Sequence, residues 1–179
     1  MPSSTHGSER RLETIDAAIR AFARKGYGGS TLADIAEEAG VSQPRISQVF
    51  GNKENAFVIA HRRAADEVLE LVRAYAQPPM DIAALGQGYA RLVERRPEIF
   101  MMVFQGIASA YVPAIGEESR RMVAEVVDVV TGAGGSADDA RFLLERSYLV
   151  FAMMTLDMAG HAQGDPQILG MLAAMSSLG

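Results

Sequence analysis

The chain has 179 residues, of which 49% are hydrophobic, enough to bury a core in one ordinary domain or in a small domain joined to a medium one. It contains no cysteine, which excludes disulfides, thiolate metal sites and a cysteine nucleophile. The formal net charge of −5 is unevenly spread: residues 1–63 carry nine Lys/Arg against seven Asp/Glu, and residues 64–179 carry eight against fifteen. A mildly basic N-terminal part on an acidic body suits a protein whose first third faces phosphate. No run of 18 apolar residues is present, so no membrane span is expected. The start MPSSTHGSERR has no apolar stretch of the secretory kind, and a cytoplasmic location is expected.

Residues 1–8 are small and polar and read as a disordered arm. Leu12, Ile15, Ile19, Phe22 and Ala23 then recur at helical spacing, predicting a helix over about 9–25, with Gly26 as its C-terminal cap behind Arg24 and Lys25. Thr31 and Asp34 have capping-box spacing, so a second helix starts at Thr31. The stretch from Thr31 to Lys53 meets the requirements of a helix-turn-helix. Ala36 is small where the two helices touch. Gly40, four residues on, tolerates positive φ at the turn. Ile35, Ala39, Val41, Ile46 and Val49 supply the apolar inner positions. Ser42 is a natural N-cap, and Pro44 falls in the first turn of the next helix, where its missing N–H costs nothing.

That register turns Gln43, Pro44, Arg45, Ser47 and Gln48 outward. Arginine reads guanine O6/N7 and glutamine reads adenine N6/N7 through paired hydrogen bonds, so Gln43, Arg45 and Gln48 are the candidate base contacts. Ser47 is a candidate phosphate contact. Asn52 caps a helix opening at Lys53. A lysine in a first turn opposes the helix macrodipole, an arrangement that a bound phosphate reverses. Thr31 sits at another helix start and is placed with Ser47 and Lys53 among the phosphate contacts.

The pattern GxxxxTLADIAEEAGVSxxxxxxxFGNKENAF, behind an amphipathic helix ending in FARKGY, resembles the N-terminal domain of TetR/AcrR-family transcriptional repressors over about residues 10–60. The resemblance implies an all-α fold. A helix-turn-helix domain, residues 1–60, would be joined by a long helix to a helical ligand-binding and dimerisation domain, residues 61–179. By position it makes Thr31 the phosphate-contacting threonine, 43–49 the recognition helix and Lys53 the lysine that opens the fourth helix. Two departures stand out. Ser47 replaces the aromatic residue, often tyrosine, that usually packs on the DNA backbone. Pro44-Arg45 stand where a small residue with glycine is common.

The helix opening at Lys53 is expected to run to about Ala76 and to stop at Pro78-Pro79. His61 within it reads as a surface or interdomain residue. Helical segments follow over 81–95, from Pro97 to about Tyr111, and from Pro113. The glycine-rich TGAGGS at 131–136 lacks the lysine and the preceding strand of a phosphate-binding loop. Ser136 with Asp139 caps a helix over about 137–162, and Asp165-Pro166 opens the last one. The 137–162 segment is apolar nearly all round, so it needs cover on two sides. Tyr148, Phe151 and Met154, with Ile168, Met171 and Met175 of the last helix, are the candidate homodimer interface. A dimer would place two recognition helices on a pseudo-palindromic double-stranded operator. Tyr89, Met101, Phe104, Gln105 and Tyr111 are candidates for lining a pocket for a small-molecule effector. No cofactor and no metal is expected. His6, His61 and His161 lie far apart and no nucleophile motif is present, so an enzyme is not expected. The competing readings are a small helical enzyme and a helical interaction module without DNA binding.

Overall fold

The computed structural model describes residues 3–75, 82–161, 165–167, 169 and 170. Among them there are helices and connecting turns and no strand, so the all-α expectation holds. The order is α1 (Ser3–Gly29), α2 (Leu32–Ala39), α3 (Gln43–Phe50), α4 (Lys53–Tyr75), α5 (Ile82–Arg95), α6 (Pro97–Ala108), α7 (Pro113–Gly132), α8 (Ala137–Thr155) and the short α9 (Met158–His161). Contacts divide the chain into two compact units, Met1–Val68 with Arg96–Ala124, and Leu69–Arg95 with Glu125–Gly179. The expected DNA-binding segment, 1–60, therefore sits inside a larger unit that also holds α6 and the first part of α7. Helices α4 and α7 each begin in the first unit and end in the second.

In the first unit α1 packs on α2 and α6, and α2 packs on α3. The stripe predicted for α1 is what it buries: Ile15, Ile19, Phe22 and Ala23 are all inside, joined by Ile35, Ile46, Phe50 and Phe57. Phe57 is the hub. Its ring meets Phe22 edge-on at 4.8 Å and Tyr27 at 5.4 Å. Burying each such side chain contributes on the order of 1.5–3 kcal/mol. Leu12, the first residue of the predicted stripe, is 47% exposed, and the burial of α1 among the described side chains begins in earnest at Ile15. The helix path breaks at Gly26, with φ 68° and ψ 173°, where the predicted cap lies. A Cβ there would come within 3.0 Å of Gln105 Oε1 on α6, so the glycine serves both the turn and the contact.

His61 corrects its sequence reading. It is fully buried in the first unit, not at a surface. Its ring lies over Phe57, and Nε2 is 3.3 Å from the Val103 carbonyl of α6. Gly106 makes room for it: a Cβ there would sit 2.3 Å from the ring. Nδ1 faces Glu118 Oε1 of α7 at 4.0 Å, and both atoms are buried without a hydrogen-bond partner. Glu118 is also paired with Arg121, and its Oε1 is 3.8 Å from Arg62 Nη1. Burial raises its carboxyl, but the His61 ring and the Arg121 guanidinium outweigh burial and hold it below the ordinary range. Arg96 ties three helices, reaching Glu67 of α4 at 2.7 Å, Glu98 of α6 at 2.9 Å and Asp16 of α1 at 3.6 Å.

In the second unit α5 approaches the end of α4 through Gly88, where a Cβ would come within 2.7 Å of the Tyr75 ring. Arg91 donates to the Tyr75 hydroxyl at 2.7 Å. Helix α8 starts on the predicted capping box of Ser136 and Asp139. It stops at Thr155, short of the expected 162, because Asp157 takes φ 47° and opens α9. Aspartate is among the few residues other than glycine that adopt this conformation readily.

Candidate nucleic-acid interface

The two short helices are held by their ends. The Thr31 hydroxyl accepts from Asp34 N at 3.2 Å and donates to Asp34 Oδ2 at 2.6 Å, while Thr31 N donates to Oδ2 at 2.7 Å. This is the capping box predicted from the spacing. Lys25 of α1 binds the other Asp34 oxygen. Together these hold the Asp34 carboxyl well below the usual range, the Lys25 bond contributing most and the Thr31 bonds next. Glu38 is gripped by Arg20 at 2.7 Å and Arg24 at 2.9 Å, which lower its carboxyl and fix α2 against α1. At the far end Gly40 is left-handed, φ 65° and ψ 31°; its N–H bonds Glu37 O, and Val41 N–H bonds Ala36 O. This closed turn sets the direction of α3.

Helix α3 opens at Gln43 with Pro44 in its first turn. Ser42 has the extended backbone of an N-cap, but its side chain makes no capping bond; its carbonyl accepts from Arg45 and Ile46. The helix buries Ile46 and Phe50, with Val49 half-buried. Of the expected inner residues, Ile35 and Ala36 are buried and Val41 is not: it is 42% exposed. The reversal at Gly40 carries its side chain out of the contact between α2 and α3. Gln43, Arg45 and Gln48 are exposed and Ser47 is half-buried. Arg45 Nη1 lies 3.5 Å from Gln48 Oε1, so these two project from one face, a turn apart. A cleft of about 900 Å³ runs beside them, bounded by Arg45, Gln48 and Val41 on one side and by Arg10, Arg11 and Glu13 of α1 on the other.

Lys53 opens α4 behind the Asn52 cap, whose side chain accepts from Asn55 N at 2.8 Å. Its ammonium donates to the Tyr27 carbonyl at 3.0 Å and lies 4.4 Å from the Tyr27 ring centre. One donor thus ties the start of α4 to the end of α1.

Residues 15–57 match the family model described as TetR_N, bacterial regulatory proteins, tetR family. The N-terminal helical segment is thus similar to the N-terminal domain of the TetR family. The TetR match takes in α2, the turn at Gly40, α3 and the opening of α4. Over 70 residues the chain is 39% identical to the HTH-type transcriptional repressor AcnR of Corynebacterium diphtheriae, covering 39% of this chain and 37% of AcnR. The likeness thus spans little more than a third of that relative's length. Across the fold, a TetR-family member from Streptomyces coelicolor A3 superposes with TM-score 0.67 at 22% identity, covering 83% of this chain and 88% of that one. The multidrug binding protein EbrR, solved with ethidium, gives TM-score 0.60 at 24% identity over 82% of this chain and 88% of its own.

The other expected sites are less concentrated. Tyr111 is 73% exposed in the turn between α6 and α7, so it is not a wall of an enclosed pocket. Met101, Phe104 and Gln105 are half-buried on α6 in the first unit, with Gln105 against Gly26. Tyr89 belongs to the second unit; burial pushes its hydroxyl up to about 12, against the opposing effect of a hydrogen bond with Ser147. Tyr148 is 39% exposed, and Phe151 and Met154 are half-buried on α8. Ile168, Met171 and Met175 lie outside the described side chains. Sequence reasoning missed Glu118, Arg96 and the α1 arginines. Only Arg10-Arg11, as an adjacent basic pair, carried a visible signal.

Proposed function

We propose that the chain is a sequence-specific, DNA-binding transcriptional regulator, a homodimeric repressor released from its operator by a small molecule, without catalytic activity and acting in the cytoplasm. The observation that carries this is the reading face of α3. Arg45 and Gln48 stand exposed and side by side on a helix whose approach is fixed by the Thr31 box and the Gly40 turn. Gln43, Arg45 and Gln48 read base edges in the major groove. Thr31, Ser47 and Lys53 bind phosphate, Lys53 through the N–H bonds not given to Tyr27 and Thr31 chiefly through the helix start that its side chain caps.

The partly exposed apolar face of α8, with Tyr148, Phe151 and Met154, supports a second copy as partner, and Ile168, Met171 and Met175 extend that reading. EbrR was solved with ethidium bound, which supports an effector site in the helical body, with Met101, Phe104 and Gln105 of the first unit as candidate contacts. An effector acts through its differential affinity for two spacings of the recognition helices, a coupling typically of about 1–3 kcal/mol. Helix α4, starting three residues after α3 ends, is the candidate transmitter.

The test is operator affinity by gel shift with the chain's upstream intergenic DNA. Arg45→Ala costs about 1–3 kcal/mol and relaxes specificity at one position, while Lys53→Ala weakens binding to all sequences and flattens the salt dependence. Unchanged affinity in both variants contradicts the assignment.

A further inference from the structure

We propose that Arg10 and Arg11 hold DNA phosphates beside the recognition helix, making the exposed first turns of α1 a further element of the interface. The inference rests on the DNA-binding reading of α3 and deepens it.

Three observations converge. Helix α1 begins at Ser3, yet the side chains from Gly7 to Glu13 are all exposed and the first buried one is Ile15. A short helical stretch with no packed face gains little from propensity alone. Next, the arginines and lysine further along α1 are committed, as are Arg63 and Arg96. Arg20 and Arg24 bind Glu38, Lys25 binds Asp34, and Arg63 and Arg96 bind Glu67. Arg10 and Arg11 pair with no carboxylate among the described residues, and Glu13, on the same helix, takes neither. Finally, the two arginines line the cleft whose opposite wall carries Arg45 and Gln48. Three cations, Arg10, Arg11 and Arg45, against one carboxylate, Glu13, border this cleft.

Uncommitted guanidinium groups flanking a base-reading helix have one fitting partner in a bound duplex, the backbone that borders the groove. Phosphate binding needs positive charge and no particular base, so lysine substitutes in this role.

The experiment measures the affinity of the full chain for a duplex selected by the wild-type protein, and for an unrelated duplex, from about 50 to 200 mM salt. The variants are Arg10→Ala/Arg11→Ala, Arg10→Lys/Arg11→Lys and Arg45→Ala, each checked for unchanged melting temperature. Each phosphate contact contributes about 0.9 to the log–log salt slope. In a homodimer the double alanine variant removes four contacts and should lower the slope by about 3.6, so that it loses about a hundredfold less affinity than wild type over that fourfold rise in salt. It should weaken both duplexes alike, and the double lysine variant should restore the slope. A wild-type slope in the double alanine variant, with operator binding still weakened in Arg45→Ala, overturns the proposal and leaves the reading of α3 standing. A double lysine variant that keeps the slope but loses preference at flanking base pairs overturns the phosphate role in favour of base reading. Wild-type binding in Arg45→Ala as well overturns the DNA-binding reading itself.

Discussion

His61 and Glu118 form a contact in which burial and charge oppose each other. Two polar atoms 4.0 Å apart, both buried and neither hydrogen-bonded, are retained where an apolar pair would pack at lower desolvation cost. Glu118 is held ionised by His61 and Arg121 despite burial. A carboxyl lowered on folding stabilises the protein above its unfolded pKa, and that stability is lost as pH falls through the folded value. Glu118→Gln should therefore lower the melting temperature at neutral pH and shrink the loss seen on acidification. Equal melting temperatures for the two proteins at neutral pH would show that the charge contributes nothing. Gly106→Ala should cost about 1–3 kcal/mol, because its methyl would enter the His61 ring space. None of this was legible in the sequence. A histidine beside Arg62 and Arg63 on a long helix reads as surface, and only the approach of α6 at Gly106 shows why it is not. Val41 and Tyr111 were misjudged for a related reason: residues just past a turn take their exposure from the direction in which the chain leaves it.

Short helices depend on their ends, and ends are what sequence records best. The eight residues of α2 are bounded by Thr31 with Asp34 and by Gly40, all readable from residue type and spacing, and all three have the expected geometry. The boundaries of α6 at Pro97 and α8 at Ser136 were legible for the same reason. The break at Asp157 was not, because aspartate inside an apolar run gives no signal that it will take positive φ. The capping box also yields a prediction. Thr31→Ala should destabilise the chain by about 0.5–2 kcal/mol in chemical denaturation. Asp34 is lowered by its bonds to Lys25 and Thr31, so its contribution is present at neutral pH and fades only well below the ordinary carboxylate range. Asp34→Asn should weaken the fold at pH 7 and not at strongly acidic pH. A loss of equal size at both would mean that the carboxylate's charge is irrelevant to the cap.

For the whole chain, the N-terminal third was legible and the body was legible only as helices. A helix-turn-helix must satisfy steric and capping requirements at fixed positions, so its residues declare it. A ligand pocket or a dimer face needs only apolar side chains, which any core also needs. That is why the residues named for the pocket fall in both units, with Tyr89 in one and Gln105 in the other, and why Tyr111 is largely exposed. It is also why the boundary placed at residue 60 differs from the compact unit, in which α6 covers α1. The departures at Pro44-Arg45 and Ser47 leave the operator to be measured. Selection of duplex DNA from a random pool by the purified chain reads the operator itself. A homodimer reading DNA through α3 should enrich an inverted repeat whose half-site centres lie about 10–10.5 bp, or a multiple of that, apart on the helix. A pool that stays unenriched, or that yields one unrepeated half-site, would contradict a homodimer reading DNA through α3.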